Sequence, residues 1–357
     1  MLGSATKTPM VSVIVPVVGA CPNLRRTLES VLNQSYRDLE LIVAYNDEDE
    51  VVSGVVDLMA SRDWRLIPHV CTGSTTDVLN EALEVARGTY VAFVGGNAWV
   101  APGMYATLVD MANRANLELV VSGIFVDTPS DRDGGVETML WSCPERFYPT
   151  QHDFRAAAWQ LFDANQMLPL GNKLYLRRRI EEGNVRFSNV SGEGSFALGY
   201  LADVERVAVT DRAFYHVVRS ASRTTETVEF PQAHEARERE REALLALFHG
   251  WGLDGDPASM DMLQRRYLEH LIGSIETVCG PRCTLPTQEK RRIIGEMIST
   301  EQAKLAASVA KPRSRIARAL LGPIKAGNAA LVYSEGRFMS FVRRRNPAMA
   351  EPFDLYL

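Results

Sequence analysis

Gly88 to Pro102 reads GTYVAFVGGNAWVAP. The apolar run Tyr90 to Val94 predicts a buried strand, which stops at Gly95-Gly96-Asn97 before a helix opened by a proline near Pro102. In an open α/β sheet the ligand site lies at the carboxyl end of such a strand. Here that place carries two glycines and an amide, with no carboxylate.

On the N-terminal side, Val11 to Val17 (VSVIVPV) predicts a parallel strand buried on both faces. Leu24, Leu28, Val31 and Leu32 then recur at helical spacing, and Leu39 to Ala44 predicts the next strand, completing a βαβ unit. A helix from Val51 to Ser61, a short strand from Trp64 to Ile67 and a helix with the stripe Leu79, Ala82, Leu83 and Ala86 follow. Gly88 stands where a helix C-cap is expected. Beyond Asn97, a helix from Pro102 to Ala115 and a strand from Leu117 to Val121 continue the alternation. The pattern predicts a doubly wound, mostly parallel α/β sheet. From about Glu229 the chain reads as helical, over 233–249, 260–278 and 287–310, and the charge run 235–242 predicts the wet face of a helix.

With 46% hydrophobic and 23% charged residues the chain can bury a full core. Its first residues contain no apolar leader core, and no run of eighteen apolar residues occurs, so the expectation is a cytoplasmic protein. Five scattered cysteines suit reduced thiols, and the Cys279/Cys283 pair lacks the second pair a metal site needs. No HExxH, GxGxxG or P-loop spacing appears. From Lys311 to Asn346 nine basic residues stand against one acid, in a chain whose net charge is -5. Apolar residues interleaved there, from Ile316 to Val342, predict an amphipathic cationic stretch suited to an anionic membrane surface or to packing on the acidic body. No nucleic-acid module is present, and no nucleic-acid partner is expected.

Several blocks in order carry a further signal: VSVIVPVVGACPNLRRTLESVLNQSYRDLELIVAYNDEDE, NEALEVARGTYVAFVGGNAWVAPGMYATLV, GNKLYLRRRI and FALGYLADVERVAVTDRAFYHVVRSAS. Over roughly residues 10 to 226 the chain resembles the bacterial family 2 glycosyltransferases of the GT-A fold. That resemblance implies a Rossmann-like, mostly parallel doubly wound sheet. Residues 1–125 would form the nucleotide-sugar half, 126–228 the acceptor half and 229–357 a helical region with the basic tail. It also implies inversion at the anomeric carbon and a saccharide or lipid-linked acceptor.

Position by position the chemistry departs from the family. Tyr45, with Asp47 just beyond, stands where the family has a base-reading Asp, and only Asn80 remains of an Arg-Asn pair. Gly95, Asn97 and Ala98, with Gly96 between the first two, stand where the family has the aspartates that hold a divalent ion, so no cofactor and no Mg²⁺ or Mn²⁺ is expected. Pro16 and Val17, which end the first strand, complete the expected donor contacts. Lys173, Arg219 and Arg223 are the candidates for replacing the missing charge on the diphosphate. Glu193, in Gly192-Glu193-Gly194, matches the general-base position, and His216 the acceptor side. The alternatives are a GT-A fold that has lost its chemistry and serves as a binding or partner protein, and one reused for another group transfer. If lipid-linked acceptors are used, the protein would lie on the inner face of the membrane.

Overall fold

The computed structural model describes residues 8–19, 21–46, 48–129, 135–188, 192–218, 230–281, 283–312 and 315–345. The chain divides into two compact units, Met1–Arg223 and Thr224–Tyr356. The two halves expected on either side of residue 125 fall in the first unit, and strands from both enter one sheet.

In the first unit the elements run β1 (Val11–Val17), α1 (Leu24–Leu32), β2 (Leu39–Tyr45), α2 (Glu50–Ala60), β3 (Leu66–Val70), α3 (Thr75–Val85) and β4 (Tyr90–Phe93). They continue as β5 (Trp99–Val100), α4 (Met104–Ala115), β6 (Leu119–Pro129), β7 (Val136–Trp141), β8 (Arg146–Tyr148) and α5 (Gln151–Asp163). The unit closes with β9 (Lys173–Leu176), α6 (Arg177–Glu182), α7 (Gly192–Leu201) and β10 (Val207–Val218). The strand order is β3-β2-β1-β4-β9-β6-β10-β5, with β7 on β6 and β8 on β10. Strands β1 to β4 pair in parallel, as the unbroken apolar runs require: Val13, Ile14, Val15, Leu41, Ile42 and Val43 are wholly buried. Beyond β4 the sheet is mixed, since β9 runs antiparallel to both β4 and β6 while β10 runs parallel to β6.

Local departures from the expectations have identifiable causes. The third strand begins at Leu66, leaving Trp64 88% exposed in the preceding turn. Gly88 is not the C-cap of α3, which ends at Ala86 in extended geometry. Its glycine is needed because a Cβ there would stand 2.5 Å from the Ser12 amide nitrogen. Helix α4 starts at Met104 because Gly103 adopts φ 87° as its N-cap, so Pro102 lies outside the helix.

The second unit is helical: α8 (Phe230–Gly250), α9 (Pro257–Cys279), α10 (Thr287–Ser299), α11 (Glu301–Val309), α12 (Arg315–Lys325) and α13 (Ala329–Arg345). The single helix expected over 287–310 is broken at Thr300, whose extended backbone ends α10 while its hydroxyl accepts from Ala303 N–H to cap α11. Leu268, Leu271, Ile275, Ile294, Ile298, Leu320, Ile324 and Val332 form its core. Cys279 packs on Gly336, where a Cβ would come 2.7 Å from its sulfur, and burial pushes its thiol up to about 11. The charge run at the start of α8 is not simply a wet face. Glu240 pairs with Arg266 of α9 and is pushed upward by burial, and Arg237 donates to the Ser274 hydroxyl at 2.6 Å.

Candidate active site

Parallel pairing brings three strand ends to one place. Val17 stands in register with Tyr45, and the Val94 amide continues β4 along β1 by donating to the Ile14 carbonyl at 2.9 Å. The loop Gly95-Gly96-Asn97 therefore rests against Pro16. A Cβ at Gly96 would lie 2.6 Å from Cys21 Sγ and 3.3 Å from the Pro16 carbonyl oxygen, so that position has no room for a side chain. The loop is held from both sides: Gly95 N–H donates to the Tyr215 hydroxyl (3.2 Å), and the Thr27 hydroxyl lies 3.0 and 2.6 Å from the Gly96 and Ala98 carbonyls. Asn97 is exposed and its Oδ1 faces the Asn23 amide at 3.5 Å. Helix α1 begins there without a side-chain cap, which leaves the positive end of its dipole facing the loop.

A second group flanks the loop through β5. His216 on β10 stands opposite Trp99 and stacks on its ring at 3.5 Å, with Phe125 stacked on its other side at 4.5 Å. Its Nδ1 is 2.9 Å from Asp127 Oδ2, and Thr138 donates to Asp127 Oδ1 at 2.7 Å. Burial lowers the His216 pKa below its ordinary value against the opposing pull of Asp127, and Arg26 lowers it further. The neutral imidazole with Nδ1–H on the carboxylate leaves Nε2 as an acceptor. Arg26 itself lies 4.4 Å over the Trp99 ring, and Trp99 Nε1 is buried with no hydrogen-bond partner.

The comparisons bear on this arrangement. Residues 12–177 match the family model described as Glycosyl transferase family 2. Over those residues the chain is similar to the family 2 glycosyltransferases. An uncharacterized glycosyltransferase EpsJ of Bacillus subtilis is 25% identical over 257 residues, covering 69% of this chain and 72% of the relative. The GalNAc(5)-diNAcBac-PP-undecaprenol beta-1,3-glucosyltransferase of Campylobacter jejuni is 28% identical over 109 residues, 30% of this chain and 35% of the relative. Among solved structures, S. aureus TarS 1-349 in complex with UDP-GlcNAc matches with a TM-score of 0.56 at 15% identity, covering 94% of this chain and 91% of that one. It shares the GT-A fold.

Of the transferase positions expected from the sequence, Pro16, Val17, Tyr45, Gly95, Gly96 and Asn97 share the strand ends, although Val17 and Tyr45 are buried at 3% and 4% exposure. Two expected donor contacts are engaged elsewhere. Lys173 is 1% exposed: its ammonium contacts the Pro169 carbonyl and lies 2.7 Å from Asn172 Oδ1, and burial holds its pKa well below the ordinary lysine range. An amino group buried against internal carbonyls is not placed to supply the replacement charge expected from the sequence. Asn80 donates to the Phe187 carbonyl (3.1 Å) and accepts from the Phe187 amide (2.9 Å), which pins the segment before α7. Asp47, Arg219 and Arg223 lie outside the described residues, and Glu193 is described only by its backbone in the first turn of α7. That turn is anchored by Phe196, which stacks on Phe187 at 4.5 Å and meets the Phe93 ring edge-on at 5.2 Å, beside the end of β4. Sequence reasoning missed Arg26, Trp99, Phe125 and Asp127. Trp99, two residues past Asn97, was the available signal, because an aromatic beside a ligand loop is a stacking surface.

Proposed function

We propose that this transferase moves a glycosyl group from a nucleotide sugar to a hydroxyl of a saccharide or lipid-linked acceptor, with inversion and without a divalent ion at Gly95-Gly96-Asn97. The observation that carries the reading is the neutral, close-packed loop at the ends of β1 and β4, with Arg26 and the uncapped start of α1 beside it. In a single displacement the acceptor oxygen attacks the anomeric carbon as the bond to the diphosphate breaks. Charge grows on the departing diphosphate, and a guanidinium and a helix N-terminus stabilise it in place of a metal. Arg219 and Arg223 supply further charge. Glu193 takes the acceptor proton, and His216, fixed by Asp127, orients the acceptor through Nε2. Tyr45 and the ends of β1 and β2 receive the nucleoside.

Membrane contact belongs to the same proposal. Among the described residues no helix is long and apolar enough to cross a membrane. On α13, Leu331, Phe338 and Phe341 are 44%, 64% and 49% exposed beside exposed Arg337, a composition that suits an anionic lipid surface at the inner face of the membrane.

The test is thermal unfolding and product formation with a panel of nucleotide sugars, in buffer cleared of divalent ions before the protein is added and again with Mn²⁺. A donor at 100 times its Kd stabilises by about 2.7 kcal/mol. The expected outcome is one donor whose shift and turnover do not need Mn²⁺, with Glu193→Gln lowering turnover about 10²–10⁴-fold at unchanged donor affinity. Turnover that appears only with Mn²⁺ overturns the metal-independent chemistry. Donor binding without turnover against any acceptor makes the chain a binding protein. Turnover kept in Glu193→Gln and lost in His216→Gln transfers the base to the His216–Asp127 pair.

A further inference from the structure

At the outer edge of the sheet, two strands from β1, three side chains of different chemistry converge. His69 and Cys71 are two residues apart, on β3 and just past its end, so both fall on one side of the strand. Glu81 comes from α3, which packs beside them. One ligand atom from each, a ring nitrogen, the sulfur and a carboxylate oxygen, lies within 4.8 Å of the other two. His69 Nε2 is cut off from solvent with no hydrogen-bond partner, and its distance to Glu81 Oε2 is 3.8 Å. That gap is too long for a hydrogen bond, and leaving a buried ring nitrogen unmatched is costly. It is close to the spacing of two atoms that share a metal ion at about 2.0–2.2 Å each.

We propose that His69, Cys71 and Glu81 bind one zinc ion. A nitrogen, a thiolate and a single carboxylate form a borderline donor set suited to Zn²⁺ and poor for Mg²⁺ or Ca²⁺, which demand oxygen. On binding, Cys71 releases its proton to solvent. The thiolate and the Glu81 carboxylate then balance the dication, so the half-buried site is electrically neutral. Three protein ligands leave a fourth tetrahedral position for water. The ion ties edge strand β3 to α3, and because the Cys71 amide donates to the Tyr45 carbonyl at 2.9 Å, it also steadies the end of β2. The inference is independent of the transfer chemistry.

The test uses the full chain with any affinity tag removed and its metal stripped by a chelator. Zn²⁺ is titrated calorimetrically, and Co²⁺ serves as a spectroscopic probe. The expected results are one equivalent of Zn²⁺ and a thiolate-to-cobalt charge-transfer band. Both are lost in Cys71→Ser and in His69→Gln, each confirmed folded by circular dichroism, and both are kept in the double variant Cys279→Ser, Cys283→Ser. The inference is overturned by binding below one equivalent, by a band that survives Cys71→Ser, or by one that disappears only with Cys279 and Cys283.

Discussion

Replacing Asn80 with alanine separates a donor-binding role from a structural one. The Asn80 amide makes two bonds to the backbone of Phe187, 107 residues away in sequence, at 3.1 and 2.9 Å. Asn80→Ala removes both and leaves a partly buried N–H and C=O without replacements. At about 0.5–1.5 kcal/mol net per bond, plus the penalty for the unmatched groups, the loss is about 2–4 kcal/mol. For a unit of this size that corresponds to a fall of roughly 4–16 °C in the melting temperature. Asn80→Asp should fare no better, because it keeps one acceptor oxygen but sets a carboxylate against the Phe187 carbonyl. The assay is thermal unfolding of the full chain followed through the first unit's transition, alongside nucleotide-sugar binding at a temperature where both variants are folded. If Asn80→Ala melts within 1 °C of the parent while donor affinity falls tenfold, the pinning argument is wrong and the amide faces the donor.

Gly171 is packed on the face of Tyr215, where a Cβ would lie 2.1 Å from ring carbon Cζ. Because Tyr215 is itself 1% exposed, Gly171→Ala should cost about 1–3 kcal/mol in urea unfolding and weaken donor binding by disturbing the Gly95 loop. An alanine variant as stable as the parent would remove Tyr215 as the loop's support. His216 is held neutral in the fold, so below about pH 6.5 the unfolded chain binds a proton that the folded imidazole refuses. Stability of the first unit should therefore be complete above that pH and decline as pH falls through it toward the lowered pKa, by at most about 1.4 kcal/mol per pH unit for this group. Urea midpoints measured at stepped pH should show a smaller decline for His216→Gln, and an identical decline would exclude the imidazole as the cause. Finally, Phe338→Ser with Phe341→Ser should reduce cosedimentation with anionic vesicles, and added salt should reduce it in the parent. Equal binding to neutral vesicles would argue against the electrostatic part.

The parallel half of the sheet, the carboxylate-free loop Gly95-Gly96-Asn97 after the central strand and the helical character of the C-terminal unit were all legible in the amino-acid sequence. Each is written in local terms: unbroken β-branched runs, apolar residues at helical spacing, and residue types that either can or cannot hold a charge. The mixed half of the sheet was not legible, because Lys173–Leu176 is too short a run to announce a strand and its antiparallel direction depends on which strands flank it. The same limit applies to the side chains. Lys173 reads as a free cation until the fold buries it among carbonyls, and Asn80 reads as a ligand contact until Phe187 arrives to occupy it. His216 acquires Asp127 and two aromatic neighbours only when β10, β6 and β5 lie side by side, and His69 and Cys71 acquire Glu81 only when α3 packs on the parallel half of the sheet. Periodicity records which face of an element is buried. Which group meets that face across a hundred residues is a property of tertiary structure, and here that decides which polar residues remain available for chemistry.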